Sequence, residues 1–253
     1  MVKAFLTASS AVHQSTEDFV RDLTQGEGFK GVGGFSLVCG NIGEPLAVVS
    51  NRTPDVDGVP WIAGKRDETA GLSNAAYGDR SWPKVVHGEK LLEKALSDSV
   101  ESKDSKDQLI AKLFQLLSTD TLPKRKGNQS WESYVRELRN SIFIPVIGGE
   151  GMDGMSADTV AAANSDNKAD VVDQPHQKEG NTGLFGTQKQ TIVLVDYEGL
   201  VTYVERTLYG DRGCPIPVGT GDRIFEFQLP VLDSHSTDRR AISVSSVRYK
   251  YTN

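Results

Sequence analysis

The sequence predicts an α+β fold, and three observations carry that prediction. Paired short runs rich in β-branched and aromatic residues, "GGFSLVCGN" with "PLAVVSNR" and then "QTIVLVDYEGLVTYVERTLY", have the length and turn chemistry of hairpins. "DSKDQLIAKLFQLLS" places Leu109, Ile110, Leu113, Leu116 and Leu117 on one helical face, with Lys106 and Lys112 outside it. The hydrophobic period changes more than once along the chain, so hairpins must pack on helices rather than stand alone.

Taken in order, "MVKAFL" has helical spacing at Val2, Phe5 and Leu6, but only the initiator Met precedes it to cap the first turn. The next helix opens as helices ordinarily do. Ser15 or Thr16 precedes "EDFVRDLTQG", Phe19, Val20 and Leu23 share a face, and Gly26 follows the end. The first hairpin turns at Ile42-Gly43-Glu44. In "TAGLSNAAYGDRSWPK" a short strand-like run stops at Ser73-Asn74, a loop of small residues follows, and Trp82-Pro83 starts a helix over Pro83–Leu96. "WESYVRELR" reads as a further helical piece leading into a strand, "SIFIPV". The second hairpin turns at Asp196-Tyr197-Glu198-Gly199, and "DRIFEFQL" supplies one more strand.

Residues 148–183 are rich in Gly, Asp, Asn, Ala and Gln, lack large apolar residues and show no period, so they read as a disordered insertion. The tail 233–253 alternates only weakly in "AISVSSVRYKY" and reads as irregular. The expected organisation is one domain over 1–232, interrupted by that insertion.

Bulk chemistry narrows the classes. Lys and Arg total 28 and Asp and Glu 34, a net charge of −6 over 253 residues, which argues against a nucleic-acid binder with its basic stripe. Cys39 and Cys214 make neither a disulfide scaffold nor a zinc site. No apolar run approaches the roughly 18 residues of a membrane span, and the start lacks the long apolar core of a secretory signal. These features describe a soluble intracellular protein.

Several motifs have a plain structural reading. Asn51-Arg52 with Asp55 and Asp57 is a polar turn. Cys39 lies in a strand pattern with no neighbouring His and reads as a buried small hydrophobe. His13, His87, His176 and His235 share no metal-ligand spacing, and "GVGGF" lacks the strand before it and the helix after it that a phosphate loop needs. Asn74 is open to two readings. Its amide can donate to a developing oxyanion, or it can cap its own turn, which its residue chemistry favours.

The blocks "GLSNAAYGDRSWPKVVHGEKLL", "DQLIAKLFQLLS", "GTQKQTIVLVDYEGLVTYVERTLY" and "FEFQL" resemble the NRDE family, the transport-and-Golgi-organisation proteins. The resemblance spans roughly Val2 to Leu229 outside the insertion. It implies a fold similar to the N-terminal-nucleophile (Ntn) hydrolases, an αββα sandwich, and roles in Golgi organisation, protein secretion, haem movement and lipid or mitochondrial metabolism. It places the protein in the cytoplasm, at the Golgi or in mitochondria. By the same resemblance Ser73, Trp82 and Gln188 are binding candidates, and Asn74 matches the oxyanion-holding Asn of cysteine-type relatives. Gln188 stands where family members often have Arg. The family's opening strand with Met-Cys, its Asn-Arg-Asp-Glu motif and its Trp-Leu-Gly strand are not in this sequence, so the expectation is a member lacking its N-terminal strands and its nucleophile. The leading expectation is thus a non-catalytic family member. The alternatives are a cysteine-type Ntn amidohydrolase relative missing its nucleophile strand, and a carrier of haem or an acyl-type metabolite.

Overall fold

A computed structural model describes residues 15–25, 34–51, 53, 55–148, 184–210, 213–229 and 247–251. The fold is α+β, built of helices and antiparallel sheets. The chain divides into two compact units, Met1–Arg80 with Val231–Ser243, and Ser81–Pro230 with Val244–Asn253.

In the first unit, helix α1 (Thr16–Gln25) packs on the three-stranded sheet of β1 (Ser36–Cys39), β2 (Leu46–Ser50) and β3 (Trp61–Ile62). Ser15 caps α1, its Oγ accepting from the Asp18 N–H at 3.1 Å. Glu44, in the hairpin turn, adds a second anchor. Its Oε2 accepts from Thr16 N at 2.9 Å and from Thr16 Oγ1 at 2.6 Å, setting a carboxylate at the positive end of the helix. The turn itself needs Gly43, whose φ of 87° is costly for a side chain with a Cβ. Phe19, Val20, Cys39, Ala47, Val49 and Val59 form the core. Cys39 is buried there, as its strand pattern predicts, and desolvation pushes its thiol pKa up.

The second unit opens with α2 (Pro83–Ser102), which runs a turn and a half beyond the expected end at Leu96. It stops where Lys103 turns left-handed, its N–H donating to the carbonyls of Ser99 and Val100. Helix α3 (Lys106–Leu117) begins with a reciprocal capping box between Ser105 and Gln108. Helix α4 (Trp131–Val135) continues into a 3-10 turn over Arg136–Asn140. The strands are β4 (Ile147–Gly148), β5 (Leu184–Phe185), β6 (Lys189–Val195), β7 (Leu200–Thr207), β8 (Asp222–Gln228) and β9 (Val247–Tyr251). Strands β6 to β9 form one antiparallel sheet in chain order. The β6–β7 turn is closed by Asp196, whose Oδ1 accepts from the Glu198 and Leu200 N–H groups, and by Gly199 at φ 80°.

Helix α3 covers one face of this sheet. Phe114, Ile110, Leu113 and Leu117 meet Ile192, Leu194, Val204 and Ile224 in a shared cluster. Polar groups pin both ends: Lys106 forms an ion pair with Glu226, and Gln190 Nε2 donates to Ser118 Oγ at 3.1 Å. Lys106 therefore reaches back to the sheet rather than standing in solvent, and Lys112 pairs with Asp104 at 2.6 Å. A second cluster joins Val135, Leu138 and Ile144 to Leu122, Ile147 and Phe185.

Three expectations need correction. "SIFIPV" is not a strand, because Pro145 has no N–H to give a ladder and the rest of its backbone bonds elsewhere. Phe143 N donates to Thr119 O at 2.9 Å and Ile144 N to Thr187 Oγ1 at 2.9 Å, so pairing begins only at Ile147. The tail expected to be irregular over 233–253 contains β9, which pairs antiparallel with β8 from Arg223↔Tyr251 to Phe227↔Val247. Val247, Tyr249 and Tyr251 alternate with Arg248 and Lys250, a local strand pattern that the Ser-rich run before it obscures. The run before Asn74 is a loop, and the strand that pairs with β2 on the side away from β1 is the two-residue β3, which its sequence does not announce. Of the expected disordered insertion 148–183, Gly148 lies in β4 and the remainder lies outside the described residues, as do "MVKAFL" and Gly26.

Candidate functional site

The four candidates from the sequence fall in different surroundings. Ser73 and Asn74 lie in the loop after β3 in the first unit, Ser73 half-buried and Asn74 exposed. Among the described residues the Asn74 amide makes no hydrogen bond, so it does not cap its turn.

Trp82 occupies the N-cap position of α2 in the second unit with extended backbone (φ −95°, ψ 100°). It supplies no side-chain cap. Its indole is 2% exposed and carries two cations, with Lys84 Nζ at 5.2 Å and Arg139 Cζ at 5.3 Å from the ring centroid. The Trp and Lys of "SWPK" are thus one unit: Pro83 starts the helix, Trp82 buries its ring, and the Lys84 stem packs over that ring.

Lys84 is held at a cost. It sits near the positive end of α2, and burial lowers its pKa from the ordinary value of 10.5. The folded chain therefore binds this proton less tightly than the unfolded chain does. The penalty is present in full below the folded pKa and is relieved as pH rises towards 10.5. The wild-type protein is expected to gain stability relative to Lys84→Met as pH is raised from about 7 to about 10. Paired thermal melts across that range test this, and a constant difference between the two proteins would show that Lys84 is solvated in the folded state.

Gln188 is exposed and donates from Nε2 to Tyr209 O at 3.4 Å. It borders a small concavity of about 190 Å³ lined by Val146, Phe185, Gly186 and Tyr209. Gly186 is needed there, because a Cβ would stand 3.2 Å from both Pro145 O and Val146 Cα.

A larger concavity lies on the sheet face opposite α3. It measures about 560 Å³ and is lined by Val193, Val201, Tyr203, Glu205, Arg223, Phe225 and Phe227. The register explains the grouping, since Val193↔Tyr203↔Phe225 and Val201↔Phe227 lie side by side and Glu205↔Arg223 close one end. Tyr203 and Phe225 meet edge to face at 5.8 Å between centroids. Val193, 55% exposed, leaves the β6 side open. At the polar end Lys189 Nζ reaches Glu205 Oε1 at 2.8 Å. That hydrogen bond is the main cause holding the Glu205 carboxyl below its usual pKa, opposed by desolvation and helped by the charges of Lys189 and Arg223 and by a hydrogen bond from Tyr203.

These residues were not singled out from the sequence, although a sign of them was present. "TIVLV" is apolar at every position after Thr191 rather than at alternate ones, which means that both faces of β6 need cover. Among the described residues no group of His, Cys, Asp and Glu could hold a metal ion, and no helix is long and apolar enough to cross a membrane.

A protein-family model described as Transport and Golgi organisation 2 matches residues 1–210. The chain belongs to the Transport and Golgi organisation 2 family. This is the same family as NRDE, so the resemblance carried by the "GLSNA" and "GTQKQTIVLVD" blocks holds. No curated protein matches the chain. In this member of the Transport and Golgi organisation 2 family, the matched span includes Trp82, Gln188 and the β6–β7 half of the large concavity. Arg223, Phe225 and Phe227, which complete it, follow the matched span.

Proposed function

We propose that this member of the Transport and Golgi organisation 2 family serves secretory and Golgi-associated processes by binding an acyl-type small molecule, without catalysing a reaction. The observation that carries the reading is the open concavity on the β6–β8 face. Its volume is typical of small-molecule sites, its walls are aliphatic and aromatic, and among the described residues its charged groups stand together at one end. An amphipathic chain with one polar terminus matches that layout.

The alternatives fit the described residues less well. Haem needs an axial ligand, and the lining holds no His, Cys or Met; its one phenol, Tyr203, is engaged with Glu205 and Phe225, and His87 lies on α2, outside it. A cysteine hydrolase needs a thiolate beside a base, whereas Cys39 is surrounded by Phe19, Val20, Ala47, Val49 and Val59 with its pKa raised. Asn74 and Ser73 take no part in a chemical step in this reading, Trp82 positions Lys84 and Arg139, and Gln188 borders the smaller concavity.

The test is titration with a fluorescent medium-chain acyl probe. Saturable binding is expected, with Tyr203→Ala and Phe225→Ala each weakening it about tenfold or more, since each removes an aromatic wall whose burial is worth about 1.5–3 kcal/mol. Circular dichroism confirms that the variants fold. A folded wild-type protein that gives no saturable signal would sink the reading.

A further inference from the structure

We infer that the concavity takes its ligand as a free carboxylate, and that Arg223 is the residue that selects this form over an uncharged acyl ester. The inference rests on the acyl-binding reading above and concerns the head of the ligand rather than its chain.

The charges at the polar end decide it. Among the described residues three charged groups stand there, Lys189, Glu205 and Arg223. Glu205 is ionised and held by Lys189 at 2.8 Å, so those two charges cancel locally. Arg223 stands opposite Glu205 in the register and feels its charge, yet among the described residues its guanidinium makes no hydrogen bond or ion-pair contact. One positive charge therefore remains in excess where the apolar walls end.

Direction in the sheet reinforces this. Arg223, Phe225 and Phe227 occupy alternate positions of β8 and so share a face. The other charged residues of β8, Asp222 and Glu226, belong to the opposite face, where they pair with Arg206 and Lys106. The neighbouring β7 walls run from Val201 to Glu205, four residues or about 13 Å of strand. A medium-length acyl chain laid along them from the Val201 and Phe227 end brings its head to the guanidinium.

Arginine's planar fork suits two carboxylate oxygens at once, with charge-assisted bonds stronger than neutral ones. An ester or thioester carbonyl offers one neutral acceptor and leaves the excess charge unanswered. The site therefore distinguishes the acid from its ester by charge, while the chain contributes equally to both.

The experiment compares decanoate with methyl decanoate by calorimetric titration of the full chain, in wild type, Arg223→Gln and Arg223→Lys. Wild type is expected to bind the acid at least tenfold more tightly than the ester. Arg223→Gln should abolish that preference while leaving ester affinity within about twofold, and Arg223→Lys should restore part of it, as a point charge without the fork does. Arg223 is exposed, so these variants are expected to fold, and circular dichroism checks this. Equal wild-type affinity for acid and ester, or unchanged acid binding in Arg223→Gln, overturns the assignment of Arg223 while acyl binding stands. Failure of wild type to bind either compound overturns the acyl reading itself, and this inference with it.

Discussion

Replacing Trp82 with alanine is expected to destabilise the protein by about 3–5 kcal/mol, the range for removing a large aromatic side chain from a packed core. For a chain of this size that is a fall in melting temperature on the order of 10 °C. The indole is among the largest fully buried side chains, at 2% exposure, so nearly all its surface is lost from the core when it is cut back. Two further losses add to the cavity. The stems of Lys84 and Arg139 lose the ring over which they lie, and the start of α2 loses the group that anchors it, since Trp82 makes no side-chain cap of its own. Trp82→Phe keeps part of the ring and should recover about half the loss. Urea denaturation of the three proteins measures this. A loss below about 1 kcal/mol for Trp82→Ala would mean that the side chain is dispensable for folding, and would return it to the binding role that its motif suggests.

Where the backbone's local chemistry and the hydrophobic period agree, the fold was legible. Helix α3 has both, a Ser105–Gln108 capping box and an apolar stripe that meets the sheet, and its expected position holds. The β6–β7 hairpin likewise has β-branched runs and a turn that Asp196 and Gly199 close. Elements that depend on a neighbour were not legible. Strand β3 is two residues that pair with β2, too short to show a pattern, and β9 completes an edge offered by β8 with a five-residue alternation that a Ser-rich run precedes. The end of α2 was missed because Lys103, not Gly, takes the left-handed position after it. "SIFIPV" misled in the opposite direction, its apolar content serving the Val135–Leu138–Ile144 cluster rather than a ladder.

The candidate site divides along the same line. Trp82 could be picked out in its motif, but its partner Arg139 lies far along the chain and only folding brings it to the ring. The apolar outer face of β6 was written in "TIVLV", whereas the facing of Glu205 and Arg223 depends on the β7–β8 register, which no local pattern encodes.

On the covered face of the same sheet, Asp222→Ala is expected to cost about 3 kcal/mol. Arg206 and Asp222 form a bidentate pair, with Nε to Oδ1 at 2.9 Å and Nη2 to Oδ2 at 2.8 Å, and their side chains are only 18% and 11% exposed. The Arg206 guanidinium also stacks 3.8 Å from the centre of Phe114, the buried aromatic through which α3 docks. Removing the carboxylate leaves a cation beneath that helix with much of its hydration already stripped, and breaking a buried pair in this way costs about 3–5 kcal/mol. The partial exposure of both groups argues for the lower end, because water can enter to solvate the orphaned charge. The pair itself need not be worth as much as its disruption. Arg206→Met with Asp222→Leu fills a similar volume without charge, so the double variant should recover most of the loss and reach at least the stability of either single variant. Urea denaturation of the wild type, Arg206→Met, Asp222→Leu and the double variant, with Asp222→Ala measured beside them, separates the two quantities. A coupling of about 2 kcal/mol or more places the damage in the stranded charge. If Asp222→Ala costs less than about 1 kcal/mol, the pair is effectively at the surface, and α3 is held to the sheet by the apolar contacts of Phe114, Ile192 and Val204 with the Lys106–Glu226 and Gln190–Ser118 contacts at its ends.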